Sequence, residues 1–185
     1  RDSTRPDCLP PEVLNLLERL NQIKPVWVEL GLQTIHERTA RYIRRGYDLP
    51  VFETAVSELR RRGIDVIVHT ILCLPGETKP DMLQTIQYLN RQDIQGIKLQ
   101  LLHILKDTDL AGIYASDPFP VPDPQEYYEL LGACISHLRP DIVIHRLTGD
   151  GPKELLTAPL WTCNKRQVLN QLQSYFKTHD IWQGK

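Results

Sequence analysis

The sequence has 185 residues, 41% hydrophobic and 24% charged, with 22 Lys and Arg against 23 Asp and Glu. That balance supports a globular core and excludes a disordered chain, while a net charge of -1 excludes a global field toward nucleic acid or a membrane surface. No apolar run reaches the ~18 residues that span a bilayer and no basic start precedes a short apolar stretch, so a single cytoplasmic domain over 1–185 is expected.

Residues 11–22 read as a helix, with Pro11 in its first turn and Val13, Leu14, Leu16, Leu17 and Leu20 apolar, and Pro25 ends it. Val26 to Gln33 then alternates with the period of a strand, valines and leucines on one side, Trp27, Glu29, Gly31 and Gln33 on the other. Helical patterns at 36–45 and 50–62 are broken by Gly46 and ended by Gly63. The stretch 64–72 is too apolar on both sides for a half-exposed strand and fits a buried parallel one.

A Pro75-Gly76 turn leads to a helix over 78–91, and Gly96 to Leu105 supplies the next strand. The proline-rich stretch from Pro118 to Pro124 is a loop, Asp123 with Glu126 caps a helix, and Ile142 to Leu147 supplies a fourth strand. Asn164 with Gln167 caps a last helix that carries Val168, Leu169, Leu172, Tyr175 and Phe176 on its buried side. The alternation predicts an α/β fold of βαβ units around a parallel sheet.

Polar residues share one phase of these strands: Glu29 and Gln33, His69, Lys98 and Gln100, and His145. In a sheet flanked by helices that phase faces away from the helices, into the lumen if the sheet closes as a barrel, where binding sites lie near the C-terminal strand ends. Two alternatives stand open for each residue. It faces a ligand, or it pairs internally, as Glu29 would with Lys98, because buried charges must be compensated. Gly31 and Gly76 let a ligand approach the backbone, and Glu77 stands where a strand-to-helix loop opens a helix.

Thr4-Arg5-Pro6-Asp7-Cys8-Leu9, Glu29-Leu30-Gly31-Leu32-Gln33-Thr34, Ile71-Leu72-Cys73-Leu74-Pro75-Gly76-Glu77-Thr78 and His145-Arg146-Leu147-Thr148-Gly149-Asp150-Gly151-Pro152 follow one another across nearly the whole chain. In this order they resemble the radical S-adenosylmethionine (SAM) superfamily, particularly a group near the Elongator catalytic subunit and the oxygen-independent coproporphyrinogen oxidases. The resemblance implies the C-terminal part of a partial TIM-type barrel, with Arg1 to Asp7 ending its third strand. It implies a parent enzyme that cleaves SAM at a 4Fe-4S iron–sulfur cluster to form a 5′-deoxyadenosyl radical, substrate unknown. The implied SAM wall is Glu29, Gly31, Gln33, His69, Leu74, Pro75, Gly76, Glu77, Gln100 and Leu102, and Leu102 to Leu105 would complete the adenine side.

Two family features are missing. Cys8, Cys73, Cys134 and Cys163 lack the close spacing of the three cluster cysteines, and the Gly-Gly-Glu segment for the SAM amino group is absent. Cys73 takes a place usually held by glycine in the family turn. The chain opens on Arg1 with Met82 as its only methionine, so a cluster-binding segment is expected to precede it, and this chain alone is expected to bind no cluster and to be inactive. Self-association through the open side of the barrel is a further expectation.

An alternative function is an RNA (tRNA)-binding module using Arg38, Arg41, Arg45 and Arg60-Arg61-Arg62, whose bland counterpart is a solvated helix face. A metal-dependent hydrolase using His69, His103 and His145 lacks the ligand spacing such sites show.

Overall fold

The computed structural model describes residues 2–149 and 151–185, so Arg1 and Asp150 lie outside the described residues. The main elements in chain order are β1 (Asp2–Thr4), α1 (Pro11–Ile23), β2 (Trp27–Gln33), α2 (Glu37–Tyr42), α3 (Leu49–Arg61), β3 (Asp65–Leu72), α4 (Lys79–Leu89) and β4 (Gly96–Leu101). They continue as β5 (Ile104–Leu105), α5 (Asp109–Ser116), α6 (Pro124–His137), β6 (Val143–Arg146), β7 (Leu156–Ala158) and α7 (Lys165–Thr178).

Five strands form one parallel sheet in the order β1-β2-β3-β4-β6, with neighbours in space following one another in sequence. The strand patterns predict this α/β alternation around a parallel sheet, and it forms the partial TIM-type barrel that the family resemblance implies. Val28, Leu30 and Leu32 of β2, Val66, Val68 and Leu72 of β3, and Ile97, Leu99 and Leu101 of β4 are all buried on the helix side. Against them pack Phe52, Val56 and Leu59 of α3, Ile86 and Leu89 of α4, and Tyr127 and Leu131 of α6. Burying each large apolar side chain contributes roughly 1.5–3 kcal/mol, and that sum holds the helices on one face of the sheet.

Local chemistry sets the ends of the helices. Thr78 and Asp81 form a reciprocal capping box on α4, as Asp123 and Glu126 do on α6, while Asn164 accepts from Gln167 N–H on α7. Past α3, Gly63 takes φ +68°, the left-handed conformation that closes a helix C-terminus.

Two expectations need correction. The strand expected over Gly96 to Leu105 ends at Leu101, and Ile104–Leu105 pairs antiparallel with β7 in a separate two-stranded sheet. The helix expected over 36–45 stops at Tyr42, because Arg44 (φ +55°) and Gly46 (φ +85°) take left-handed backbone conformations that a helix cannot contain. An additional helix, α5, has none of its residues buried. Its placement over the open end of the sheet gives it no apolar stripe to read.

Candidate functional site at the open face of the sheet

The register places Gly31 of β2 beside His69 of β3, and His69 beside Lys98 of β4. On the face away from the helices, Lys98 Nζ donates to Glu29 Oε2 at 2.6 Å, and His69 Nε2 lies 2.8 Å from that same oxygen. Glu29 is 2% exposed and Lys98 3%, so the expected pairing of these two charges is present and buried. Burial first, then the neighbouring Lys98 and Arg146 cations, push the His69 pKa down against the opposing hydrogen bond to Glu29.

The same face continues into β4 and β6. A register irregularity after Ile97 brings both His145 and Arg146 to it. His145 lies over Gly96, where a Cβ would come within 2.6 Å of its Nε2, and Arg146 Nη1 donates to Gln100 Oε1 at 3.1 Å. Only a residue without a side chain fits at Gly96, so the glycine makes room for the histidine.

At the C-terminal strand ends a cavity of about 470 Å³ is lined by Gly31, Gln33, Ile71, Leu74 and Leu102 from the strands and their loops. Tyr42 to Arg45 and Tyr47 close one side, Asp109, Leu110 and Ile113 of α5 another, and Arg5 its edge. Gln33 has φ +67°, a conformation unfavourable for any residue but glycine, and its amide folds over Gly31, where a Cβ would meet Nε2 at 2.8 Å. Its Oε1 is buried with no hydrogen-bond partner among the described residues. An unsatisfied buried acceptor costs about 1–3 kcal/mol, and a ligand bearing a donor removes that cost.

Tyr47 stands between two guanidiniums, with Arg45 4.8 Å and Arg5 5.8 Å from its ring centre, and burial pushes its hydroxyl pKa up to about 12. Tyr47, Arg5 and Arg146 belong to this face and escape a search by strand alternation. Two come from loops, and the third reaches the face only through an irregular register.

The Leu74-to-Glu77 turn is divided between two surfaces. Pro75 and Gly76 form its corner, with Gly76 at φ +80° and Glu77 N–H donating to Leu74 O at 3.1 Å. Leu74 lines the cavity above, whereas Pro75, Gly76 and Glu77 line a second cavity of about 480 Å³ with Cys73, Met82, Phe119 and Glu126. Glu77 Oε1 accepts from Thr34 Oγ1 at 2.5 Å, which ties the loop after β3 to the loop after β2, and burial raises its pKa. Of the ten expected wall residues, Gly31, Gln33, Leu74 and Leu102 meet at the first cavity. Glu29, His69 and Gln100 lie on the strands' inner face outside its lining.

The arginine stripe is partly tied down, although Arg38, Arg41 and Arg61 stay exposed. Arg45 is 7% exposed and donates to Tyr47 O, Thr34 O and Glu37, Arg38 donates to Gly76 O, and Arg60, Arg61 and Arg62 pair with Asp65, Asp93, Glu58 and Glu18. Helical spacing cannot distinguish a solvated arginine from one folded back onto carbonyls. Among the described residues no group of three or more His, Cys, Asp or Glu is placed to hold a metal ion, and His69, His103 and His145 do not converge. The four cysteines are free thiols, with Cys8 exposed and Cys134 buried, so they do not fit a cluster site.

Sheet, cavity and strand-end polar groups define a barrel-type α/β protein with a cavity at its C-terminal strand ends. The family model for the Radical SAM superfamily matches residues 2–89, and that for the Radical_SAM C-terminal domain matches residues 94–178. The chain belongs to the radical SAM superfamily. It is 40% identical over 183 residues, 99% of its length, to the uncharacterized protein YtqA of Bacillus subtilis, and spans 57% of that relative's length. Its fold is similar to that of Elp3 from the archaeon Methanocaldococcus infernus at 17% identity, with a TM-score of 0.82 over 98% of this chain and 42% of that one. It is similar also to coproporphyrinogen III oxidase (HemN) from Escherichia coli, at 17% identity and a TM-score of 0.55 over 72% of this chain and 30% of that one.

Proposed function

We propose that this chain is the SAM-facing part of a radical SAM enzyme whose whole form reductively cleaves SAM to a 5′-deoxyadenosyl radical. The observation that carries this is Gln33, a buried acceptor without a partner folded over a side-chain-free Gly31 at the mouth of the sheet. A ribose hydroxyl is a donor of the kind that acceptor lacks, and Leu74, Leu102 and Ile71 give the cavity an apolar wall for an adenine ring. Glu29, His69 and Gln100 would form the floor, and Pro75, Gly76 and Glu77 would support Leu74 from behind. When bound, a 4Fe-4S cluster supplies the electron for reductive cleavage. The described cysteines do not fit that cluster, so its three ligands come from elsewhere in the whole protein.

Two experiments test this. The whole protein, reconstituted anaerobically with iron and sulfide and reduced with dithionite, is expected to form 5′-deoxyadenosine from SAM, and Gln33→Ala to weaken SAM binding roughly tenfold. No product from a protein with a SAM-responsive cluster spectrum removes the proposal. Residues 1–185 alone are expected to hold no cluster; four irons per chain with a spectrum that responds to SAM refute that part. Nothing in the arrangement of Arg38, Arg41 and Arg61, which stay exposed, favours tRNA over another partner.

A further inference from the structure

The Glu29 carboxylate is already compensated by Lys98 at 2.6 Å, so charge balance in this buried site needs no second cation. His69 nevertheless brings its Nε2 to the same Oε2 at 2.8 Å. An ionised carboxylate can only accept, so Nε2 must carry the proton. In a neutral ring that leaves the lone pair on Nδ1, which has no hydrogen bond among the described residues. The His69 side chain is 18% exposed, next to Gly31 in the register, whereas Glu29 and Lys98 are sealed at 2% and 4%.

We infer that Glu29 and Lys98 hold His69 as a neutral imidazole whose Nδ1 lone pair is a ligand-facing hydrogen-bond acceptor, so that the ligand group seated there is a donor: a hydroxyl, amide or ammonium. Glu29 and Lys98 are then positioning residues, acting through the ring. Among the described residues, the charged groups around His69 are Glu29 on β2, Lys98 on β4 and Arg146 on β6. The two cations oppose protonation of the ring and the carboxylate favours it, while burial opposes it further. This inference rests on the proposed SAM site, where the donor would be a ribose hydroxyl. It also gives ligand affinity a sign: the acceptor is present above the His69 pKa and lost as acid protonates Nδ1.

The test uses the whole protein with ring-15N-labelled histidine and its cluster reconstituted. Long-range 1H–15N spectra are expected to show His69 neutral and protonated at Nε2 at about pH 7. SAM affinity, measured by calorimetry between about pH 5 and 8, is expected to fall on the acid side with the midpoint at which His69 titrates. Lys98→Met is expected to raise both midpoints together, a coupling that a packing role would not produce. If Lys98→Met does not fold, Glu29→Gln/Lys98→Met removes both charges and is expected to leave His69 in mixed tautomers. His69→Leu is expected to weaken SAM binding roughly tenfold, and His69→Asn, whose Oδ1 lies nearest the place of Nδ1, to recover most of it. A charged or Nδ1-protonated His69 at neutral pH overturns the inference, as does SAM affinity that stays flat through the His69 titration. A wild-type protein that binds no SAM at any pH refutes the SAM proposal instead, and the tautomer alone then decides the state of His69.

Discussion

Cys73 follows the last residue of β3 with φ +64°, a conformation that costs a residue with a side chain roughly 1–2 kcal/mol, and its N–H donates to Met82 Sδ at 3.1 Å. Burial pushes its thiol pKa up to about 12, which makes it a packed, inert group rather than a thiolate ligand. A β-branched side chain tolerates this backbone worst, so Cys73→Val is expected to destabilise the fold by about 2 kcal/mol and Cys73→Gly by less than about 0.5 kcal/mol, measured by urea unfolding. The family resemblance implies a glycine at this place, and the positive φ is a conformation that glycine adopts without cost. Glu77 makes a pH-dependent case. Burial raises its folded pKa above the usual 4.5, so its contribution to stability is fully present below that value and is lost as pH rises through the folded pKa. Glu77→Gln is expected to raise the melting temperature near neutral pH, with the gain vanishing below pH 4.5, where the wild-type acid is already protonated.

Among the elements, the capped helices are where local sequence decides most. Asp123 accepts from Glu126 N–H at 2.9 Å while Glu126 accepts from Asp123 N–H at 2.9 Å. Both residues lie within four positions of each other, so no distant contact is needed to recognise the motif. Asp123→Ala is expected to cost about 1 kcal/mol in thermal or urea unfolding. Arg45 shows the opposite case. Its guanidinium reaches Thr34 O at 2.7 Å, Glu37 at 2.8 Å and Tyr47 O at 2.9 Å, joining the ends of β2 and α2 to the start of α3. Arg45→Met is expected to destabilise by roughly 3 kcal/mol by leaving Glu37 and two carbonyls unsatisfied, whereas Arg41→Glu, on the exposed side of α2, is expected to stay within about 0.5 kcal/mol. In the sequence both are simply arginines of one helical stripe.

Over the whole molecule, α1 leaves an apolar stripe unsatisfied. Val13, Leu16, Leu20 and Ile23 are 36%, 46%, 42% and 83% exposed, while Leu14 and Leu17 face the core. Such a stripe favours association, so residues 1–185 are expected to form concentration-dependent oligomers in sedimentation velocity, and Leu16→Glu/Leu20→Glu to shift them toward monomer. This helix offers a surface for association besides the open side of the barrel. Among the described residues no helix is long and apolar enough to cross a membrane.

By itself the sequence determined the strand–helix alternation, the helix caps and the polar phase of β2, β3 and β4, because strand period, capping chemistry and proline or glycine backbone limits act over a few residues. It also carried the family likeness through Glu29 to Thr34 and Leu74 to Glu77. Tertiary structure alone decided which polar groups pair and which remain available to a ligand. Glu29 meets Lys98 across 69 positions and His69 across 40, whereas the Gln33 acceptor finds no partner among the described residues. Hydrogen bonding depends on ångström distances set by strand register, and register is a property of the assembled sheet.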